Sequence, residues 1–188
     1  MLLRRVAPAT TLPVTVAEAR QHLREPDVSE NGLIETMIAA ACDMVAEMTG
    51  RVLVAETWAA AYPAVAGDLK LPKSPVLSVT SIGFYDAADA PQVAELSGFY
   101  VFTDDDTCTI RPKSGAAWPS TIARADAITV TFQAGYAVLP PALRSAILLT
   151  MAHLYEHRES VVIGAATVEL PLGIQSLINL HRLGWAAG

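Results

Sequence analysis

Clusters of positive charge are missing from this chain. Its 13 Lys and Arg are scattered among 19 Asp and Glu, for a formal net charge of −6 and a pI near 5.1. Tight nucleic-acid binding neutralises phosphates with grouped cations, so the composition argues against it. An acidic protein beside DNA would instead offer a surface that does not hold it. Long apolar runs are missing too: no stretch approaches the roughly eighteen uncharged residues of a membrane-spanning helix. The basic start, MLLRRVAPATTLP, lacks the apolar core of a secretory signal. A soluble chain made in the cytoplasm, without a membrane partner, is expected. Cysteine is scarce: Cys42 and Cys108 show no CxxC spacing and read as small buried hydrophobes, neither a disulfide framework nor a zinc site. G-x-S-x-G, the P-loop and G-x-G-x-x-G are all absent, as are internal repeats. No cofactor is expected.

Apolar residues are plentiful, at 52% against 17% charged, and the mean hydropathy is +0.36. Much of the excess is alanine. Two readings stand: an alanine-rich composition and nothing more, or a surface partly covered by neighbours.

Residues 1–13, with two prolines, read as an extended arm. Thr15 and Glu18 form the pattern of a capping box and predict a helix over 15–24, stopped by Pro26. Ser29 is placed to cap a helix over 30–48. There Ile34, Ile38, Ala41, Val45 and Met48 form one stripe, which Leu33, Met37, Ala40 and Met44 widen, so more than one side should be covered. Gly50 supplies its stop. Period-two segments follow within 52–132, clearest where Ile128, Val130 and Phe132 alternate with Thr129 and Thr131. Pro140 and Pro141 open a helix over 141–160, with Leu143, Ile147, Met151 and Leu154 on one face. The expected class is α+β: a mainly helical bundle of three main helices in a 14–160 domain, with a small antiparallel β insertion at 52–132. A tail at 161–188 carries a short helix.

One motif suggests chemistry. His153, Glu156 and His157 match H-x-x-E-H, in which two histidines one turn apart hold zinc and the glutamate activates water. A third ligand must come from a separate element. After His157 the acids are Glu159, too near on the same helix, and Glu169 in a loop-like stretch. The competing reading makes both histidines surface or interface groups, with Glu156 in local ion pairs, and it is the better one. Asp104, Asp105 and Asp106 lack the alternating spacing of a calcium loop and read as a solvated hairpin tip. His22 and His181 read as structural. Trp58, Tyr85, Tyr100 and Phe132 show no basic interleaving and read as core, not base-stacking platforms.

Three segments taken together are more informative: "LPVTVAEARQHLR" with "TGRVLVAETW"; "LKLPKSPVLSVTSIGFYD" with "AAWPSTIARADAITVTFQAGY"; and "AILLTMAHLYEHRES" with "ELPLGIQSLI". Their order, from Pro13 to Ile178, resembles the phage head–tail connector (adaptor) family, its phiE125 gp8-like and HK97 gp6-like groups, found in tailed phages, prophages and gene transfer agents. The family carries a stretch like "HLYEHRE" at the corresponding place, which accounts for the zinc-like spacing. The resemblance implies a non-enzymatic subunit of a ring of about twelve copies, each offering two different faces to its neighbours. The ring would sit below the portal protein in the neck of the particle and line the channel through which double-stranded DNA passes unbound. It would also give a platform to the next neck, stopper or tail protein. Met37, Met44, Met48, His153 and His157 are the implied ring contacts. For the portal, the implied contacts are the apolar residues of the last segment: Val161, Val162, Ile163, Leu170, Leu172, Ile174, Leu177, Ile178, Leu180 and Trp185. That segment reads equally as an intramolecular closure of the domain. The alternatives are a zinc-dependent hydrolase and another neck or tail closure protein. Closure proteins are chiefly β-built, so a dominant helix signal should tell the two apart.

Overall fold

The fold is described from a computed structural model, over residues 1–24, 27–157 and 171–184. The chain divides into two compact units, Met1–Ala9 with Val54–Ala137, and Thr10–Leu53 with Val138–Gly188.

The first unit is built of strands: β1 (Leu2–Ala7), β2 (Glu56–Tyr62), β3 (Leu69–Lys70), β4 (Val76–Tyr85), β5 (Pro91–Ala94), β6 (Phe99–Thr103), β7 (Cys108–Pro112) and β8 (Ile128–Ala134). One sheet has the order β1-β2-β8-β4-β5 and a second the order β3-β7-β6; every pairing is antiparallel. The alternation in β8 does what period two requires: Ile128, Val130 and Phe132 are buried, and Thr129 and Thr131 lie half-exposed. In register with them, Trp58, Ala60 and Tyr62 of β2 share that buried face. In the small sheet, Leu69 sits opposite Ile110, both buried. The sheets are tied where the Tyr62 hydroxyl donates to the Lys70 carbonyl at 3.3 Å.

The second unit is helical: α1 (Val16–Leu23), α2 (Asn31–Thr49), α3 (Pro141–Glu156) and α4 (Leu172–Asn179). Ile34, Ile38, Ala41 and Val45 of α2 are fully buried, as are Leu143, Ile147 and Met151 of α3. Burial of each large aliphatic side chain contributes about 1.5–3 kcal/mol before entropy is charged against it. Gly50 ends α2 at φ 72°, a left-handed turn that its missing Cβ permits, and its N–H closes onto the carbonyls of Ala46 and Glu47. Ser29 does not cap α2. Asp27 accepts the Ser29 N–H at 2.9 Å and starts a short 3₁₀ turn over Val28–Glu30, which leads into the helix.

The capping box at α1 forms. The Thr15 hydroxyl accepts the Glu18 N–H at 3.2 Å, and the Glu18 carboxylate accepts the Thr15 N–H at 3.0 Å. The other Glu18 oxygen takes a hydrogen bond from the Arg144 guanidinium of α3, which also donates to the Pro13 carbonyl at 3.2 Å. Arg144 first, and then the Thr15 amide, pull the Glu18 pKa from its ordinary 4.5 to about 2. A depressed carboxylate adds stability above its unfolded pKa and loses it as pH falls through the folded one. Glu18→Gln should therefore cost about 1 kcal/mol at neutral pH, kept small by solvent screening of this half-exposed pair. The gap from wild type should close as pH drops from 4.5 toward 2, as urea unfolding across that range would show.

The expectation of a mainly helical, three-helix bundle with a small β insertion is corrected: the described residues hold four α-helices and eight strands in two antiparallel sheets. The reason is long-range pairing. Residues 2–7, read as part of an extended arm, form β1 and join β2 fifty or more positions away, and β8 lies between β2 and β4. Such pairing leaves no periodic trace in the local sequence.

Candidate functional site

No catalytic constellation assembles among the described residues. His153 and His157 stand one turn apart on α3 with ring centroids 4.3 Å apart. The His157 Nδ1 lies 2.9 Å from the His153 carbonyl oxygen, so that nitrogen is committed to the backbone. The His153 Nε2 is buried without a hydrogen-bond partner. Together with Glu156, His22 and Arg24 it lines a groove of about 670 Å³. No group of three His, Cys, Asp or Glu suited to a metal occurs among the described residues; Glu159 and Glu169 lie outside them. The cysteines are poor nucleophiles and ligands, because burial pushes Cys42 up to about 12 and Cys108 to about 11.

The triple-aspartate tip has its own work. Asp104 accepts the N–H groups of Asp106 at 2.8 Å and Thr107 at 2.6 Å and closes the β6–β7 turn. These bonds, the Thr107 amide foremost, hold its carboxyl below the usual range.

The remaining candidates are surfaces. On α2 the stripe was expected to end at Met48, but Thr49 takes the buried place and Met48 is half-buried. The second stripe is only partly covered by the described residues: Leu33 is 38% exposed, Ala40 is exposed, and Met37 and Met44 are half-exposed. Its ionic neighbours on α2 are Asp43 and Glu47, with Glu35 on the opposite side of the helix; α2 carries no Lys or Arg. This face is therefore apolar, rich in thioether and flanked by acid.

On α4 the expected contact residues divide. Ile174 and Ile178 are buried at 3% and 1% exposure, whereas Leu172 and Leu180 stand out at 81% and 72%. Leu177 is intermediate. The segment after α4 is fastened to the end of α2: the Leu183 N–H donates to the Thr49 carbonyl at 2.9 Å, and Arg51 Nε donates to the His181 carbonyl. Ile174 and Ile178 thus serve their own unit, whereas Leu172 and Leu180 are exposed. Val161, Val162, Ile163, Leu170 and Trp185 fall outside the described residues.

A third face escaped the sequence reading. Tyr100 was read as core with Trp58, Tyr85 and Phe132. Phe132 is buried, but Tyr100 is 48% and Phe102 52% exposed, their rings 5.7 Å apart on the outer side of the small sheet. Cations do accompany these aromatics. Lys113 lies 5.3 Å from the Tyr100 ring, Lys73 4.9 Å from Trp58 and Arg124 3.6 Å from Tyr85. Lys113 follows the neighbouring strand β7, and Lys73 and Arg124 come from other segments, so interleaving along the chain could not reveal the pairings. The available signal was the i, i+2 spacing of Tyr100 and Phe102, which sets them opposite to Phe99.

No family model and no curated protein matches the chain. Solved structures do. A chain of "Neck of native GTA particle computed with C12 symmetry" is 29% identical with a TM-score of 0.72. A chain of "Virion of native gene transfer agent (GTA) particle" is 27% identical with a TM-score of 0.79. A chain of "Neck of empty GTA particle computed with C6 symmetry" is 24% identical with a TM-score of 0.79, a likeness of fold. Each match covers 97% of this chain and 96% of the other.

Proposed function

We propose that this chain is a structural subunit of the neck of a phage-like particle, a head-to-tail connector (adaptor) of the phiE125 gp8-like and HK97 gp6-like kind. The observation that carries this is a match along 97% of its length to a neck chain in an assembly of C12 symmetry, at 29% identity. Several copies, about twelve, close into a ring by a contact between unlike faces. The ring sits below the portal protein and offers a platform to the next neck, stopper or tail component. Its work is positional; no bond is made or broken. DNA moves through its channel, and a chain with net charge −6 and no cationic cluster does not hold it there. Leu172 and Leu180, exposed on α4, are the described residues best placed to grip the portal. His153 and His157 remain candidate contacts between copies.

With helices and strands both prominent, circular dichroism no longer separates a connector from a β-built closure protein. Imaging does. Purified chain, alone or mixed with a portal protein from the same particle, should form closed rings with a central channel and about twelve subunits. A chain that stays monomeric and leaves the portal protein unbound under both conditions would end this proposal.

A further inference from the structure

We infer that successive copies in the ring meet by setting the outer face of α2 on one copy against the outer face of the β6–β7 sheet on the next. This deepens the ring reading above and rests on it.

The two faces match in chemistry. The α2 stripe of Leu33, Met37, Ala40 and Met44 is apolar, and the charges that flank it along one side, Asp43 and Glu47, are both negative. The sheet face presents the exposed Tyr100 and Phe102 rings. Around them stand Lys70, exposed; Lys113, over the Tyr100 ring; and Arg111, opposite Tyr100 in the register. Arg111 pairs with Asp68, so Lys70 and Lys113 carry most of the attraction. Methionine sulfur favours aromatic rings, and large aromatics lead the list of residues that anchor interfaces.

Charge also excludes the simpler pairings. Two α2 faces brought together would oppose Asp43 and Glu47 with their own copies, and two sheet faces would oppose Lys70 and Lys113 with theirs. Both are self-complementary contacts that stop at a dimer. The unlike pair satisfies both charge sets and can repeat around an axis, as a ring requires. The hairpin tip is acidic through Asp104, Asp105 and Asp106. The α2 acids therefore fall toward the root of the hairpin, where Lys113 lies.

Neighbour-specific cross-linking tests the contact. In a Cys42→Ala background, rings assembled from a chain carrying both Met44→Cys and Phe102→Cys should oxidise to a ladder of covalent oligomers, and rings of either single variant should not. Lys113→Glu should weaken ring association about tenfold, and adding Glu47→Lys should restore part of the loss. Unchanged unfolding midpoints would show that these surface variants fold. Rings that form without a ladder, or that assemble equally well with Lys113→Glu, overturn this contact and leave the connector reading standing. Failure of the wild-type chain to close into rings under any condition overturns both.

Discussion

Gly135→Ala should destabilise the β unit by about 4 kcal/mol or prevent its folding, as strain and overpacking add. Gly135 follows β8 at φ 128°, a conformation that side chains rarely adopt. A Cβ there would lie 2.3 Å from the Val54 carbonyl oxygen and 2.6 Å from the Ala55 nitrogen. Those atoms belong to backbone, and they cannot easily retreat, because Glu56 begins β2 in register with Ala134. The Gly135 N–H also donates to the Pro75 carbonyl at 2.8 Å, fixing the turn from the other side. Gly98→Ala is the control: nothing lies within 4 Å of its Cβ position, and a change within about 0.5 kcal/mol is expected. Denaturant midpoints of the two variants read the difference directly. Equal midpoints would mean that the chain does not pass Val54 as described.

Ile178→Asp and Leu180→Asp should differ by several kcal/mol although only two positions apart. Ile178 is 1% exposed, and an unpaired carboxylate there costs about 4 kcal/mol or more, or protonates. Leu180, at 72% exposure, should tolerate aspartate within about 0.5 kcal/mol. The contrast matters for function. If α4 were a free grip for the portal, both changes would spare the fold and both would harm docking. With Ile178 inside the unit, only Leu180→Asp, or its counterpart at Leu172, tests the proposed docking apart from the fold. Thermal melts identify the folded variants, and portal pull-down then measures the interface. Deleting residues 161–188 would confuse the two effects, since it removes Ile174, Ile178 and Leu183 from the core.

Local chemistry was legible. Thr15 and Glu18 encode a cap because a hydroxyl three residues before a carboxylate satisfies two orphan amides wherever a helix starts. Gly50 encodes a stop for the same kind of reason, and the apolar spacing of Ile34, Ile38, Ala41 and Val45 marks the buried side of α2. The order of short motifs along the chain carried the likeness to neck proteins before any fold was known. What the sequence could not indicate is which faces are already covered. Leu33 and Ile34 are equally apolar neighbours, yet Ile34 is buried and Leu33 is exposed.

The sequence by itself determined the cap at Thr15 and Glu18, the stop at Gly50, and the buried faces of α2 and β8; it set the end of α3 too late, at 160 where the helix closes at Glu156. The cap, the stop and the faces depend on interactions spanning a few positions. Only the tertiary structure decided that residues 2–7 complete a sheet, that Ile178 turns inward while Leu180 turns out, and that Lys113 stands over Tyr100. Each of those depends on separate elements being brought together, and neither period nor propensity carries that information.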